Sequence, residues 1–195
     1  MLPLVYFIRH GQTDWNAEGR LQGQADTDIN TTGRAQADLI GDRLAELIGE
    51  PARFDFVASP KRRTRETMER IRARLGLAPH GYRTDPRLIE VHFGDWQGLT
   101  LAELDAARPG STAERERDKW NFLPPGIGAE SYQMLTDRVA PWLEEVAVPT
   151  VCVTHGGIIR AMFRLVEDCD PQDASATVVP QDRILELKGG RLRWL

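Results

Sequence analysis

The chain has 195 residues, a length that suits one domain around a single sizeable core. Its hydrophobic share of 41% and charged share of 28% are ordinary for a globular protein, and a net charge of −4 excludes a general pull toward nucleic acid or acidic membrane. Any affinity for anions must come from local arrangement.

"PLVYFI" (3–8) reads as a buried strand: short, apolar and rich in β-formers. Leu2 to Ile8 is too short for a signal peptide, and no apolar run approaches the roughly 20 residues of a membrane span, so a cytoplasmic location is expected. Residues 31–49 read as a helix capped by Thr31 or Thr32, with Ala35, Leu39, Leu44 and Ile48 near helical spacing. "FDFVAS" (54–59) is a second strand, and residues 61–75 a helix with a strongly basic start. A short helix follows at 100–108. Residues 109–128 form a long connection with little periodicity, a lid-like segment. Residues 130–146 return to a helix. "PTVCVT" (149–154) is a third buried strand, followed by a helix (156–167) with Ile158, Ile159, Met162, Phe163 and Val166 on one face. Short strands close the chain around a Gly189-Gly190 turn. Cys152 and Cys169 form neither a disulfide framework nor a metal pattern. Buried strands alternating with amphipathic helices predict one α/β domain over 1–195, with a mostly parallel sheet and antiparallel C-terminal strands.

In such sheets, ligands bind beyond the carboxyl ends of the strands. The first strand ends on Arg9-His10-Gly11 and the third on Thr154-His155-Gly156-Gly157. The second ends near Ser59-Pro60-Lys61-Arg62-Arg63, again before a helix. Histidine, arginine and free backbone donors at helix starts therefore converge on one rim, as a phosphate monoester dianion requires. The basic start of the 61–75 helix is mismatched to the helix dipole, which calls for an anionic compensator. No carboxylate or cysteine is spaced to complete a metal site with the two histidines.

"FIRHGQTDWNAEGRLQG" (7–23) resembles the signature of the histidine phosphatase superfamily, the phosphoglycerate-mutase-like proteins. Arg-His-Gly alone is a weak signal. Its extension through Thr13, Asn16, Gly19-Arg20 and Gln22-Gly23 is specific. Further blocks fall in the family's order: "ASPKRRTRET" (58–67), "LIEVHFGDWQG" (88–98), "PPGIGAES" (124–131) and "VTHGGIIR" (153–160). The resemblance implies a three-layer α/β/α fold of the phosphoglycerate-mutase type. It also implies a phosphomonoesterase working through a phosphohistidine, without metal or cofactor, on a small phosphorylated substrate.

By the same resemblance His10 is the nucleophile, with a backbone carbonyl just after the motif fixing its tautomer. Arg9 and Arg63 clamp the phosphoryl oxygens, and Arg62 faces solvent or makes a secondary contact. His155 donates to the phosphoryl group. Asn16, Gln22, Gly23 and the Gly156 N–H are further phosphate contacts. Glu90 matches the general acid, which protonates the leaving alkoxide and later activates water; a salt bridge to Arg87 or Arg83 is the competing reading.

His92 shares the face of Glu90 if the segment is extended. His80 reads as surface, and Trp96 as packing under Glu90. Trp120 and Phe122 either meet an apolar leaving group or anchor the loop. The family's Pro-Pro-Gly-Gly-Glu-Ser carries two extra residues here, and no basic residue follows the Glu90 block until Arg108, which favours a phosphatase over a mutase. The competing functions are a cofactor-dependent phosphoglycerate mutase and a non-catalytic phospholigand-binding protein. Expected partners are the small substrate alone, with no nucleic acid or membrane, in a monomer or homodimer.

Overall fold

Alternation along the first strand explains the architecture. In the computed structural model, which describes residues 2–195, strand β1 (Val5–Arg9) sends Val5 and Phe7 into one hydrophobic core and Tyr6 and Ile8 into another. A strand buried on both faces needs a layer of helices on each side. One layer is helix α2 (Thr31–Leu47) and helix α3 (Arg62–Arg74), which bring Ile40, Leu44, Met68 and Ile71 against Tyr6 and Ile8. The other is α6 (Tyr132–Glu145) and α7 (Gly156–Glu167), which bring Leu135, Val139, Trp142, Ile158 and Met162 against Val5 and Phe7. Burying each such side chain contributes about 1.5–3 kcal/mol. The result is a three-layer α/β/α fold.

The sheet order is β3-β2-β4-β1-β5-β6, with β2 at Asp55–Ala58, β3 at Arg83–Thr84, β4 at Thr150–Thr154, β5 at Ile184–Lys188 and β6 at Arg191–Trp194. Strands β1 to β4 run parallel, while β5 and β6 are the antiparallel C-terminal pair. Among the described residues, four short α-helices and three single-turn 3₁₀ helices complete the fold, the α-helices being α1 (Asp14–Ala17), α4 (Leu101–Ala107), α5 (Ser111–Arg117) and α8 (Pro171–Ala176). No helix among the described residues is long and apolar enough to cross a membrane.

The structure corrects three local expectations. Helix α2 is capped by Asn30, whose side chain accepts from the Gly33 N–H at 2.9 Å, rather than by Thr31 or Thr32. Its buried stripe is Gly33, Ala37, Ile40, Gly41 and Leu44, whereas Ala35 is exposed and Leu39 is 64% exposed. Counting apolar side chains missed the glycines, which let backbones meet: a Cβ on Gly33 would overlap the Gln12 backbone, and one on Gly41 would press on the Arg74 side chain at 2.6 Å.

The third correction is in the 109–128 connection. It contains helix α5, which carries almost no apolar stripe and so left no periodic signal. Strand β3 and helix α8 also went unread, the one being two exposed residues and the other short and polar.

Candidate active site

Sheet register brings the two histidines together. Arg9 pairs with Thr154 across β1 and β4, so the next residues, His10 and His155, leave the sheet side by side. Their ring centroids lie 5.3 Å apart at 62°, and the rings are 3% and 0% exposed. The His10 Nδ1 donates to the Gly11 carbonyl at 2.8 Å. A carbonyl only accepts, so the ring proton sits on Nδ1 and the Nε2 lone pair is bare. The Gly11 peptide is itself fixed, its N–H donating to Thr67 Oγ1 at 3.0 Å. On the far side it touches Gly33, whose backbone a Cβ on Gly11 would overlap.

Both imidazoles are held well below the ordinary histidine range. For His10 the causes are burial, then Arg63 and Arg9, with the Gly11 bond opposing. For His155 they are burial, then Arg63, His10, Arg9 and Lys61. The His155 Nε2 meets Ser59 Oγ at 2.8 Å, while its Nδ1 is buried without a partner.

Two arginines flank the pair. Arg63, in the first turn of α3, is fully buried and donates to the carbonyls of Ala25 and Gly23, both at 2.7 Å. Burial chiefly pushes its guanidinium down to about 10, with Glu90 and Asp26 opposing, so it stays cationic at neutral pH. Arg9 donates to the Val179 carbonyl at 2.8 Å, and burial lowers it against the pull of Glu90. In both arginines the Nε is buried with no partner. Orphaned donors of this kind cost free energy unless a ligand meets them.

Glu90 lies across from them. Its Oε1 accepts from the Val91 N–H at 2.9 Å, and both oxygens accept from the Gly157 N–H, at 3.0 and 3.1 Å. Gly157 is the second residue of α7, so the carboxylate sits at a helix N-terminus, where negative charge is favoured. A Cβ on Gly157 would overlap Glu90 Oε1. The competing salt bridge is absent, because Arg83 pairs with Asp55, and Arg87 with Asp85 and Glu145.

Arg9, His10, Arg63 and Glu90 line a cavity of about 140 Å³ together with Asn16, Gln22, Gly23 and Gly156, while His155 is packed against His10 and is not itself in the lining. Hollows of about 340 to 370 Å³ elsewhere on the surface reach neither His10 nor His155. Asn16 is placed by a capping box on α1: its Oδ1 accepts from the Thr13 N–H and its own N–H donates to Thr13 Oγ1. The Gln22 Nε2 donates to Thr13 Oγ1, which leaves its Oε1 buried and unpartnered. Gly23, at φ +51, turns its carbonyl onto Arg63. Gly156 opens α7 at the cavity wall.

The compensator for the basic start of α3 is internal. Asp26 accepts the Arg62 N–H at 2.8 Å, and Asp28 pairs with the solvent-facing Arg62 side chain. His80 stays on the surface beside Glu69. His92 turns its Nδ1 to the Gly94 N–H and lines no part of the cavity. Trp96 is buried against Phe122, and Trp120 stacks on Tyr132 with its indole N–H on Gln133, so both loop aromatics anchor the 109–128 segment. The two extra residues of the 124–131 block bulge outward, with Ile127 wholly exposed, while Glu130 keeps its ion pair with Arg138.

Sequence reasoning missed several cavity residues: Arg160, Tyr132 and Phe93, and Gln181 behind the wall. Gln181 ties the His10 carbonyl to Asn16 Oδ1, at 3.1 and 3.0 Å. Arg160 carried a usable signal, since it stands four residues after Gly156 and so shares its face of α7. Gln181 carried none, being 165 residues from Asn16. Among the described residues, no three His, Cys, Asp or Glu side chains cluster as metal ligands.

A buried neutral imidazole between two guanidiniums, at the carboxyl edge of an α/β sheet, defines a phosphoryl-handling class of protein. The family model for the histidine phosphatase superfamily (branch 1) matches residues 5–194, and the chain belongs to that superfamily. It is 40% identical over 170 residues to the glucosyl-3-phosphoglycerate phosphatase of Mycobacterium tuberculosis, covering 81% of this chain and 72% of that protein. To the metal-independent phosphoserine phosphatase of Arabidopsis thaliana it is 34% identical, covering 82% and 66%. The solved structure of the mycobacterial glucosyl-3-phosphoglycerate phosphatase with VO3 superimposes with a TM-score of 0.80 at 32% identity, covering 99% of this chain and 96% of that one. This chain is accordingly a phosphatase, a hydrolase of phosphoric monoesters.

Proposed function

We propose that the chain hydrolyses a small phosphorylated metabolite through phospho-His10, with no metal ion taking part. The observation that carries this reading is the His10 ring itself. Its Nδ1 proton is committed to Gly11, and its bare Nε2 is kept unprotonated by burial and the two guanidiniums.

In the first step Nε2 attacks phosphorus and the bond to the ester oxygen breaks. Arg9 and Arg63 take the charge of the equatorial oxygens, and the His155 Nδ1–H and the Gly156 N–H add donors. Asn16 contributes its amide N–H, since its Oδ1 is already occupied. Gln22 contributes after its amide turns over: the Thr13 hydroxyl then donates to Oε1 and the NH2 faces the phosphate. Gly23 acts through its carbonyl, which aims Arg63. Glu90, the one carboxylate of the cavity wall, protonates the leaving alkoxide. In the second step Glu90 takes a proton from water, the P–N bond breaks, and inorganic phosphate leaves.

The relatives named above act on glucosyl-3-phosphoglycerate and phosphoserine, and a phosphorylated hydroxy acid of that kind is the proposed substrate. The working unit is one histidine phosphatase domain over 1–195, whose 109–128 segment supports the cavity through the stack of Trp120 on Tyr132. The mutase reading differs only in whether phospho-His10 yields to a second hydroxyl. Incubation with 3-phosphoglycerate and excess chelator tests both readings. Inorganic phosphate without 2-phosphoglycerate supports the hydrolase, and 2-phosphoglycerate overturns it. Binding without turnover would leave the non-catalytic reading.

A further inference from the structure

Four guanidiniums line the cavity against a single carboxylate, and their partners differ. Arg9 and Arg63 flank the histidines. Arg20 is neutralised by Glu18 at 2.6 Å and Glu103 at 2.8 Å. Arg160 has no carboxylate within 4.0 Å among the described residues. Its Nε donates to the Thr177 carbonyl at 2.9 Å, which fixes the plane of the fork. One terminal nitrogen makes only a 3.4 Å contact with the Tyr132 hydroxyl, itself held by the stack on Trp120. That nitrogen stands beside Arg9, the two groups lying 3.2 and 3.8 Å from the point where a Gly156 Cβ would sit. The second cation is therefore aimed at the space next to the phosphate clamp, and nothing in the protein answers it.

We infer that Arg160 is a specificity-determining residue that binds a second anionic group on the leaving alcohol, a carboxylate held beside the phosphate clamp. An Arg fork matches a carboxylate with two parallel N–H···O bonds. A neutral alcohol would leave the fork partly desolvated and unpaired. Lys119, on the 109–128 segment, is coupled to Arg160: burial, then Arg115 and Arg160, push its ammonium down to about 8 against the pull of Glu116. This inference rests on the phosphatase reading and names what the outer half of that cavity recognises.

The test compares 3-phosphoglycerate with glycerol 3-phosphate, which replaces the carboxylate by a hydroxymethyl group and keeps the reacting ester. The wild type should favour 3-phosphoglycerate in kcat/KM. Arg160→Gln should lose roughly 10- to 100-fold on 3-phosphoglycerate, mainly through KM, from the value of a charge-assisted hydrogen-bond pair. Its turnover of glycerol 3-phosphate should stay within about threefold, which also reports that the variant is folded. Arg160→Lys should recover part of the preference. Equal losses on both esters, no loss on either, or no preference in the wild type would overturn the role of Arg160. The phosphohistidine reading fails separately, if His10 takes no label from either ester.

Discussion

The inner and outer walls of the cavity are built on different principles. The inner side is Arg9, His10 and Arg63 on the wall, with His155 packed against His10, all at the ends of parallel strands or in the first turn of the following helix. His10, Arg63 and His155 are buried and Arg9 half-buried, and each is tied to a nearby loop: His10 by the Gly11 carbonyl, Arg63 by those of Gly23 and Ala25, Arg9 by that of Val179, and His155 by the Ser59 hydroxyl. The outer wall holds Arg20, Phe93, Tyr132 and Arg160, which come from a loop, an irregular segment and two helices. These are only partly buried apart from Tyr132, and they meet through side chains from distant parts of the sequence. The difference teaches where each kind of selectivity resides. Rigid strand ends preorganise the group that every substrate shares, while variable connections shape the part that differs.

The comparison breaks first at His10. His10→Ala should lower turnover by on the order of 10⁴-fold or more and abolish acid-labile phosphoenzyme, as measured by rapid quench with radiolabelled ester. A phosphoenzyme surviving in that variant would move the nucleophile elsewhere.

Arg63→Lys comes next. It keeps a charge but cannot bond both Gly23 and Ala25 while facing the cavity, so kcat/KM should fall roughly 10²- to 10³-fold on every ester alike. A loss confined to one leaving group would place Arg63 on the outer wall in function.

Glu90→Gln should give a smaller and more selective effect. Single-turnover phosphorylation should slow by about 10²-fold with alkyl phosphates and little with p-nitrophenyl phosphate, whose leaving group needs no proton. Phosphoenzyme should then accumulate. Equal slowing with both esters would reduce Glu90 to a positioning residue acting through Gly157 or the arginines.

The smallest effect is on stability. His10 and His155 have folded-state values below the ordinary one of about 6.5, so the unfolded chain binds the extra protons. Their contribution is fully present above about pH 6.5 and is lost as the pH falls below it. The slope is at most about 1.4 kcal/mol per pH unit for each imidazole. Urea unfolding between pH 7 and 5 should show this slope, and a His10→Gln, His155→Gln double variant should flatten it. An unchanged slope would mean that the two rings are not held neutral.

Legibility in the sequence followed the same division. The strands other than β3, the main helices and the four inner residues were readable because each lies in one short segment whose pattern is local: an apolar strand, then His-Gly, or a turn, then a basic helix start. Helix α5 was not, because a helix of seven largely charged residues leaves no apolar period. The stripe of α2 was misplaced because glycines bury backbone rather than side chain.

By itself the sequence determined that two histidines and two arginines end at one rim, since strand direction and chain connectivity allow little else. Only the tertiary structure decided what those groups do to one another. The β1–β4 register set the 5.3 Å between the rings, and burial beside two guanidiniums made both imidazoles neutral. The pairing of Arg20 with Glu18 and Glu103 left Arg160 as the unanswered cation of the outer wall. Distances, desolvation and partner choice between residues far apart in the chain are properties of packing, and no local pattern encodes them.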